Sequence, residues 1–183
     1  MNTSPKIRVL LVDDEKDFVD TLSRRLEVRD FNVTGVYNVD DAVSRIQSEG
    51  YDVVLLDVLM PGKGGLDILK EMKDINPLIP IIMLTGHARV DKAIEGMELG
   101  AYDYLIKPTE IEELIEKIRL AHSHKVAETE RMQHEQTMEA RSRSGWGKKI
   151  FSLLSRFFRM DQPDEIETDS DGRNRDNPNP SDP

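Results

Sequence analysis

Residues 52–57 read Asp-Val-Val-Leu-Leu-Asp, four large apolar residues between two aspartates. A short apolar run without polar alternation is typical of a strand that is covered on both faces, as in parallel sheets. From Gly64 onward, apolar residues return at helical spacing. This stretch therefore predicts a buried strand, a loop and a helix, with Asp57 at the carboxyl end of the strand.

The same alternation of strand and helix patterns extends on both sides of this stretch. Each predicted strand is followed by a segment whose apolar residues recur at helical spacing. Five such units predict an α/β fold, a doubly wound five-stranded parallel sheet with helices on both faces. The predicted strands are residues 7–12, 33–36, 53–56, 79–84 and 102–106.

Length and composition limit the class of protein. A chain of 183 residues with 38% apolar side chains holds one ordinary domain and a remainder. It has no cysteine, which excludes disulfides, thiol nucleophiles and cysteine-based metal sites. The N-terminus lacks the apolar core of a signal peptide, and the longest uncharged stretch, Ile75 to Ala88, is too short to span a bilayer. We therefore expect a cytoplasmic protein.

Charge is distributed unevenly along the chain. Residues 1–120 carry 15 basic and 23 acidic side chains, 141–160 carry six basic and none acidic, and 161–183 carry two basic and eight acidic. We expect an α/β domain over 1–122 and a polar connector over 123–143, which either prolongs the fifth helix or is flexible. A basic amphipathic helix is expected over 144–160, followed by an acidic, disordered tail over 161–183.

Polar groups follow four of the five predicted strands. Asp13 and Asp14 follow the first strand, Asp57 the third, Thr85 the fourth and Lys107 the fifth. The carboxyl ends of parallel strands meet at one edge of the sheet, so these groups are expected to converge. Three carboxylates repel one another by about 4 kcal/mol per pair at 4 Å and an effective dielectric near 20, so we expect a bound cation, and all-oxygen ligation favours Mg²⁺.

This group of residue types suits phosphoryl transfer. Asp57 is the expected nucleophile, which becomes an aspartyl phosphate, while Lys107 and Thr85 contact phosphoryl oxygens. Each residue taken alone is compatible with an ordinary turn or strand end. The prediction depends on their joint occurrence at one edge of the sheet.

Four segments resemble, in order and spacing, the receiver domain of bacterial two-component response regulators. The resemblance covers about residues 6–122 and implies a flavodoxin-like receiver fold. The segments are Val9-Leu10-Leu11-Val12-Asp13-Asp14-Glu15, residues 52–62 from Asp52 through Asp57 to Met60-Pro61-Gly62, Ile82-Met83-Leu84-Thr85-Gly86, and residues 100–108, which end in Tyr104-Leu105-Ile106-Lys107-Pro108.

The resemblance implies that Asp57 accepts phosphate from a sensor histidine kinase or a phosphotransfer protein. It also implies that Asp14, with Asp13 partly through water, binds Mg²⁺ together with Asp57 and the backbone carbonyl of Leu59. No turnover of an external substrate is implied beyond the protein's own phosphorylation and dephosphorylation.

The resemblance further implies a switch and one unusual peptide bond. Thr85 and Tyr104 match the family's switch pair, and the Lys107-Pro108 bond is expected to be cis. Leu59 and His87 occupy positions that tune the lifetime of the phosphate in this family. Residues 60–65 depart from the common pattern by adding a lysine and a glycine, although none of these side chains is an expected ligand.

Other classes of protein fit less well. Haloacid-dehalogenase-like phosphatases need a second aspartate two residues after the nucleophile, where this chain has Leu59. No glycine-rich nucleoside-triphosphate loop is present, and the roughly 60 residues after 122 show little apolar periodicity before Trp146, which disfavours a DNA-binding module. We expect a single receiver domain that controls an unidentified downstream protein, and nucleic acid is disfavoured as its partner. The alternative is a transcriptional or other regulator that acts through the basic segment.

The segment 145–160 is predicted to form an amphipathic helix with one apolar and one basic face. An in-plane helix on an anionic membrane is one interpretation, which would place the protein at the inner face of the membrane. A protein partner, or the receiver itself, are the others. The apolar face comprises Trp146, Ile150, Phe151, Leu153, Leu154, Phe157, Phe158 and Met160, and the opposite face includes Lys148, Lys149, Arg156 and Arg159.

Overall fold

The computed structural model describes residues 5–61, 64–86 and 90–143. Within these residues, five strands alternate with five helices. The strands are β1 (Ile7–Val12), β2 (Phe31–Val36), β3 (Val53–Asp57), β4 (Ile81–Gly86) and β5 (Asp103–Lys107). The helices are α1 (Lys16–Glu27), α2 (Val39–Ser48), α3 (Gly65–Ile75), α4 (Val90–Glu98) and α5 (Ile111–Arg143).

The five strands form one parallel sheet in the order β2-β1-β3-β4-β5. The chain starts in β1, builds outward to β2, and then crosses back to add β3, β4 and β5 on the other side. This reversal next to β1 leaves a crevice at the carboxyl ends of β1 and β3, where α/β folds bind ligands. The predicted doubly wound parallel sheet is confirmed.

The sheet separates two apolar layers because side chains alternate along each strand. In β1, Leu10 and Val12 pack with residues of α2 and α3, whereas Val9 and Leu11 pack with residues of α1 and α5. All four are completely buried. Burying one such side chain contributes about 1.5–3 kcal/mol, so the two layers hold the helices on the sheet.

Three strands begin elsewhere than the apolar pattern predicts, and for β5 the difference is one residue, since it begins at Asp103 instead of Tyr102. β2 begins at Phe31, two residues earlier than predicted, since Phe31 is buried in the layer of α1 and α5. β4 begins at Ile81 instead of residue 79. Pro80 lies between, and its carbonyl accepts a hydrogen bond from the Val54 N–H although proline has no N–H of its own to continue the ladder.

Helix α5 continues well past the apolar stripe that packs on the sheet. The last buried residue of that stripe is Ala121, after which Val126 and Met132 are exposed. The Lys125 ammonium holds this part of the helix by donating to the carbonyl of Tyr51, at 2.5 Å, and to the Asp52 carboxylate, at 3.2 Å. Of the two alternatives for the connector, the described residues adopt the helical one.

The chain divides into two compact units, Met1–Gln136 and Thr137–Pro183. In the second unit, the described part is helical backbone as far as Arg143. The predicted amphipathic helix and acidic tail lie outside the described residues, and the predicted domain boundaries stay predictions. Among the described helices, none is both long enough and apolar enough to cross a membrane.

Candidate functional site

Three charged side chains meet at the carboxyl edge of the sheet. Asp57 is the last residue of β3, Lys107 is the last residue of β5, and Asp13 follows the end of β1. By strand alternation all three lie on the face of the sheet that is covered by α1 and α5, because Leu11, Leu55 and Leu105, each two residues earlier, pack there. The predicted convergence of these groups is therefore present.

Lys107 lies between the two carboxylates. Its ammonium nitrogen donates a hydrogen bond to Oδ2 of Asp13 and is 3.0 Å from Oδ1 of Asp57. A third carboxylate, that of Glu15, is 3.9 Å away. The lysine side chain is only 17% exposed, so a largely desolvated cation neutralises part of the negative charge of the site.

Backbone N–H groups occupy the other oxygens of the two aspartates. The Glu15 N–H donates to Oδ1 of Asp13 at 2.9 Å, and the Leu59 N–H donates to Oδ2 of Asp57 at 2.8 Å. Both aspartates are buried. The hydrogen bonds hold the two carboxylates in fixed orientations, with one oxygen of each directed to the lysine.

Burial and pairing act in opposite directions on the proton affinities. Burial raises the pKa of the Asp13 carboxyl above its ordinary value, although the hydrogen bonds from Lys107 and the Glu15 N–H lower it. Burial also disfavours the charged form of Lys107, but its hydrogen bond to Asp13 and the charge of Asp57 prevail and raise the pKa of the lysine. Lys107 is therefore a cation at neutral pH.

Three carboxylates are close enough to share one metal ion. Asp13, Asp14 and Asp57 each offer an oxygen, and these oxygens lie within 4.8 Å of one another. Asp14 is exposed while the other two are buried, so a cation would enter from the solvent side. The donor set contains only oxygen, which fits a hard divalent ion such as Mg²⁺.

Thr85 and Tyr104 lie on the opposite face of the sheet from the lysine. Met83 is paired with Tyr104 between β4 and β5, and Thr85 follows two residues later on the same face as Met83. The Thr85 hydroxyl is buried and donates to the Gly86 carbonyl at 3.3 Å, whereas Tyr104 is 36% exposed. The Lys107-Pro108 bond is cis.

The sequence did not predict one contact of the site, and some of the residues that it singled out lie outside the described part of the chain. Phe18 belongs to none of the motifs described above, but the Lys107 ammonium lies 4.4 Å from the centre of its ring. A lone aromatic residue four positions after an aspartate carries no signal for such a contact. His87 and the apolar and basic faces of the 145–160 segment lie outside the described residues.

Comparison with known proteins gives the family. Residues 9–119, more than half of the chain, match the response regulator receiver domain. The chain is 36% identical over 116 residues to the uncharacterized transcriptional regulatory protein YkoG of Bacillus subtilis and 38% identical over 119 residues to the transcriptional regulatory protein ZraR of Salmonella typhimurium. These matches cover 63% and 65% of this chain but 51% of YkoG and 27% of ZraR.

Solved structures agree with the sequence relatives. A CheY-like receiver domain protein from Methanospirillum hungatei superposes with a TM-score of 0.64 at 26% identity, covering 67% of this chain and 98% of that one. A receiver domain protein from Clostridium thermocellum gives a TM-score of 0.64 at 32% identity, covering 66% of this chain and 98% of the other. The chain belongs to the response regulator receiver family.

Proposed function

We propose that Asp57 is the phosphoacceptor of this receiver and that a sensor histidine kinase or phosphotransfer protein supplies the phosphoryl group. The observation that carries the proposal is the position of the Lys107 ammonium, 3.0 Å from Oδ1 of Asp57 in a largely buried setting. A cation so placed stabilises the additional negative charge that a phosphoryl group brings to a carboxylate.

The transfer follows from these groups. An oxygen of Asp57 attacks phosphorus, the P–N bond of the phosphohistidine breaks, and the ring nitrogen leaves with the electron pair and takes up a proton. The Leu59 N–H keeps the carboxylate oriented during this step. Asp13, Asp14, Asp57 and the Leu59 carbonyl are the proposed ligands of a Mg²⁺ ion, which would supply further neutralisation of phosphoryl charge.

We further propose that phosphorylation changes the surface at α4 and β5. In this proposal the Thr85 hydroxyl leaves the Gly86 carbonyl, which it contacts at 3.3 Å, for a phosphoryl oxygen, and the space that it vacates is on the same sheet face as Tyr104. Tyr104 is partly exposed, so an inward rotation of its ring removes an aromatic group from the surface. A local bond is thus converted into a change that a partner can recognise.

Phosphorylation is tested with acetyl phosphate and Mg²⁺. We expect one acid-stable, hydroxylamine-labile phosphate per chain, measured by intact-protein mass spectrometry. Asp57→Asn should abolish it, whereas Asp67→Asn, which changes an exposed aspartate of the nearby α3, should leave it intact. Stoichiometric labelling of the Asp57→Asn variant would remove Asp57 from this role.

The output is proposed from sequence. Residues 144–160, basic and aromatic-rich, suit attachment to anionic lipid, where each basic residue contributes about 1 kcal/mol. We expect the full chain to sediment with anionic liposomes at low salt and a chain ending at Arg143 to stay in solution. If the intact protein does not sediment, membrane attachment is excluded and a protein partner becomes the favoured interpretation.

A second candidate output is transcriptional regulation, because YkoG and ZraR are named transcriptional regulatory proteins. In this case the same basic segment would contact nucleic acid phosphates. A gel-shift assay over a salt series distinguishes the candidates, since phosphate contacts weaken steeply with salt. No shift at low salt would exclude this candidate.

A further inference from the structure

Phe18 lies on α1, one of the two helices that cover the sheet face on which the charged side chains of the candidate site lie. It is the third residue of α1, which begins directly after the aspartate pair because the Val19 N–H donates to the Glu15 carbonyl at 3.0 Å. Phe18 is half-buried and packs on the apolar layer beneath α1 and α5. Its backbone and ring are therefore held by packing, independently of any ligand at the site.

The ring of Phe18 faces the Lys107 ammonium at 4.4 Å from its centroid. Three other aromatic rings of the described residues have a cation above them, at 5.1 Å, 5.7 Å and 5.9 Å, so this is the shortest of the four distances. Lys107 is also the most buried of the four cations, because Arg8 is half-buried and Lys16 and Arg119 are exposed. A cation above an aromatic face is attracted by the ring quadrupole, and the attraction is larger when the pair is desolvated.

The two carboxylates that hold Lys107 are also proposed metal ligands. A divalent cation held by Asp13, Asp14 and Asp57 would share two of its carboxylates with the Lys107 ammonium and would repel it. The Phe18 ring carries no net charge and is no ligand for a hard ion, so its attraction for the ammonium persists when the metal binds.

We propose that Phe18 is a positioning residue for Lys107. The aromatic face of Phe18 keeps the Lys107 ammonium beside Asp57 when Asp13 binds Mg²⁺. The proposal rests on the proposed function, in which Lys107 contacts the phosphoryl group. Without the ring, the metal-bound site would release the ammonium toward solvent, and the phosphoryl group would meet a less ordered cation.

The position of the ammonium is tested by NMR on the full chain with labelled lysine side chains, using Lys107→Arg to identify the Lys107 signals. Protons above a ring face are shifted upfield, so the Lys107 side-chain protons next to the nitrogen should be upfield of other lysines. This shift should persist on titration with Mg²⁺ alone. If saturation with Mg²⁺ returns these signals to the ordinary lysine position, the ammonium leaves the ring and the proposal is wrong.

Kinetics with acetyl phosphate give the second measurement. Phe18→Leu should slow phosphorylation about fivefold, which corresponds to about 1 kcal/mol, while Phe18→Tyr keeps the ring and should stay within about twofold of wild type. Affinity for Mg²⁺, followed at the Leu59 amide, should be alike in all three proteins. Tyr37→Leu removes the ring that faces Lys16 at 5.7 Å and is the matched control, with an unchanged rate.

The outcomes separate the inference from the proposed function. Equal rates in wild type and Phe18→Leu, or an equal loss in Phe18→Tyr, would overturn the role of the ring. A parallel loss of Mg²⁺ affinity in Phe18→Leu would also overturn it, because the change would then be a distortion of the metal site. Failure of wild type itself to be phosphorylated contradicts the proposed function and not the placement of Lys107, which the NMR titration tests by itself.

Discussion

Replacing Gly65 by alanine should disturb the site through a contact with backbone. Gly65 is the buried first residue of α3, and its N–H donates to the Val58 carbonyl at 3.3 Å. An added Cβ would lie 2.7 Å from Cα of Val58 and 2.8 Å from the carbonyl oxygens of Asp57 and Val58. No side-chain rotation relieves these contacts, so the β3–α3 loop or the helix must move.

The size of the effect follows from that overlap. The closest contact is about 0.7 Å inside the 3.4 Å at which ordinary van der Waals contact begins. Overpacking of this kind costs about 1–3 kcal/mol, and the helix propensity of alanine recovers less than about 1 kcal/mol at a first helical position. We expect a net loss of about 2 kcal/mol in the free energy of unfolding and a melting temperature lower by about 8 °C.

Urea denaturation followed by circular dichroism measures the loss, and acetyl phosphate labelling measures the site. The matched control is Gly64→Ala, whose Cβ would meet only Asp67 Oδ2 at 3.7 Å and should change stability by no more than about 0.5 kcal/mol. Phosphorylation of Gly65→Ala should slow at least about tenfold, because the Leu59 N–H that orients Asp57 lies in the displaced loop. Wild-type stability and rate in Gly65→Ala, or an equal loss in Gly64→Ala, would refute the reasoning.

Three further changes have distinct expected results. Gly96→Ala places a Cβ 2.1 Å from the terminal methyl of Met83, a flexible side chain that can move, so we expect a stability change below about 1 kcal/mol but altered amide shifts along α4 in NMR spectra. The pKa of Lys107 is raised in the folded state, so its charge contributes stability that is fully present below pH 10.5, the ordinary lysine pKa, and is lost as the pH rises through the higher folded pKa. Lys107→Met should lower the free energy of unfolding by about 3 kcal/mol at neutral pH. In urea titrations at a series of pH values, this variant should be destabilised less than wild type at alkaline pH. Lys125→Met removes the donor to the Tyr51 carbonyl and to Asp52, and should cost about 1 kcal/mol and speed amide hydrogen exchange in the adjoining turns of α5; unchanged exchange there would show that the tether has no effect.

The sheet and its charged edge were predictable because they depend on patterns that short segments carry. An uninterrupted apolar run such as 53–56 is typical of a strand that is covered on both faces, and the residue that follows it lies at the edge of the sheet. The convergence of Asp13, Asp57 and Lys107 follows from parallel strands, whose carboxyl ends share one edge of the sheet, whereas the order β2-β1-β3-β4-β5 is known from the structure. The resemblance to receiver domains rests on the same segments.

Other features depend on contacts between distant residues, which local patterns do not carry. The face of Phe18 meets Lys107 only because α1 and β5 lie next to each other in three dimensions. The extent of α5 was left open since its apolar stripe ends at Ala121, and the Lys125 contacts with Tyr51 and Asp52 could not be anticipated from spacing. The start of β4 was wrong by two residues because Pro80 follows an isoleucine that continues the apolar run.

The two-layer packing of the sheet gives the receiver two sides whose apolar side chains pack in separate clusters. Asp13, Asp57, Lys107 and Phe18 belong to the side of α1 and α5, whereas Met83 and Gly96 belong to the side of α4. Thr85 is the next-to-last residue of β4, the strand that lies between β3, which carries Asp57, and the edge strand β5. Substitutions on one side can therefore accumulate with little repacking on the other, so an engineer could refit the α4 side to a new partner while keeping the chemistry of Asp57 intact.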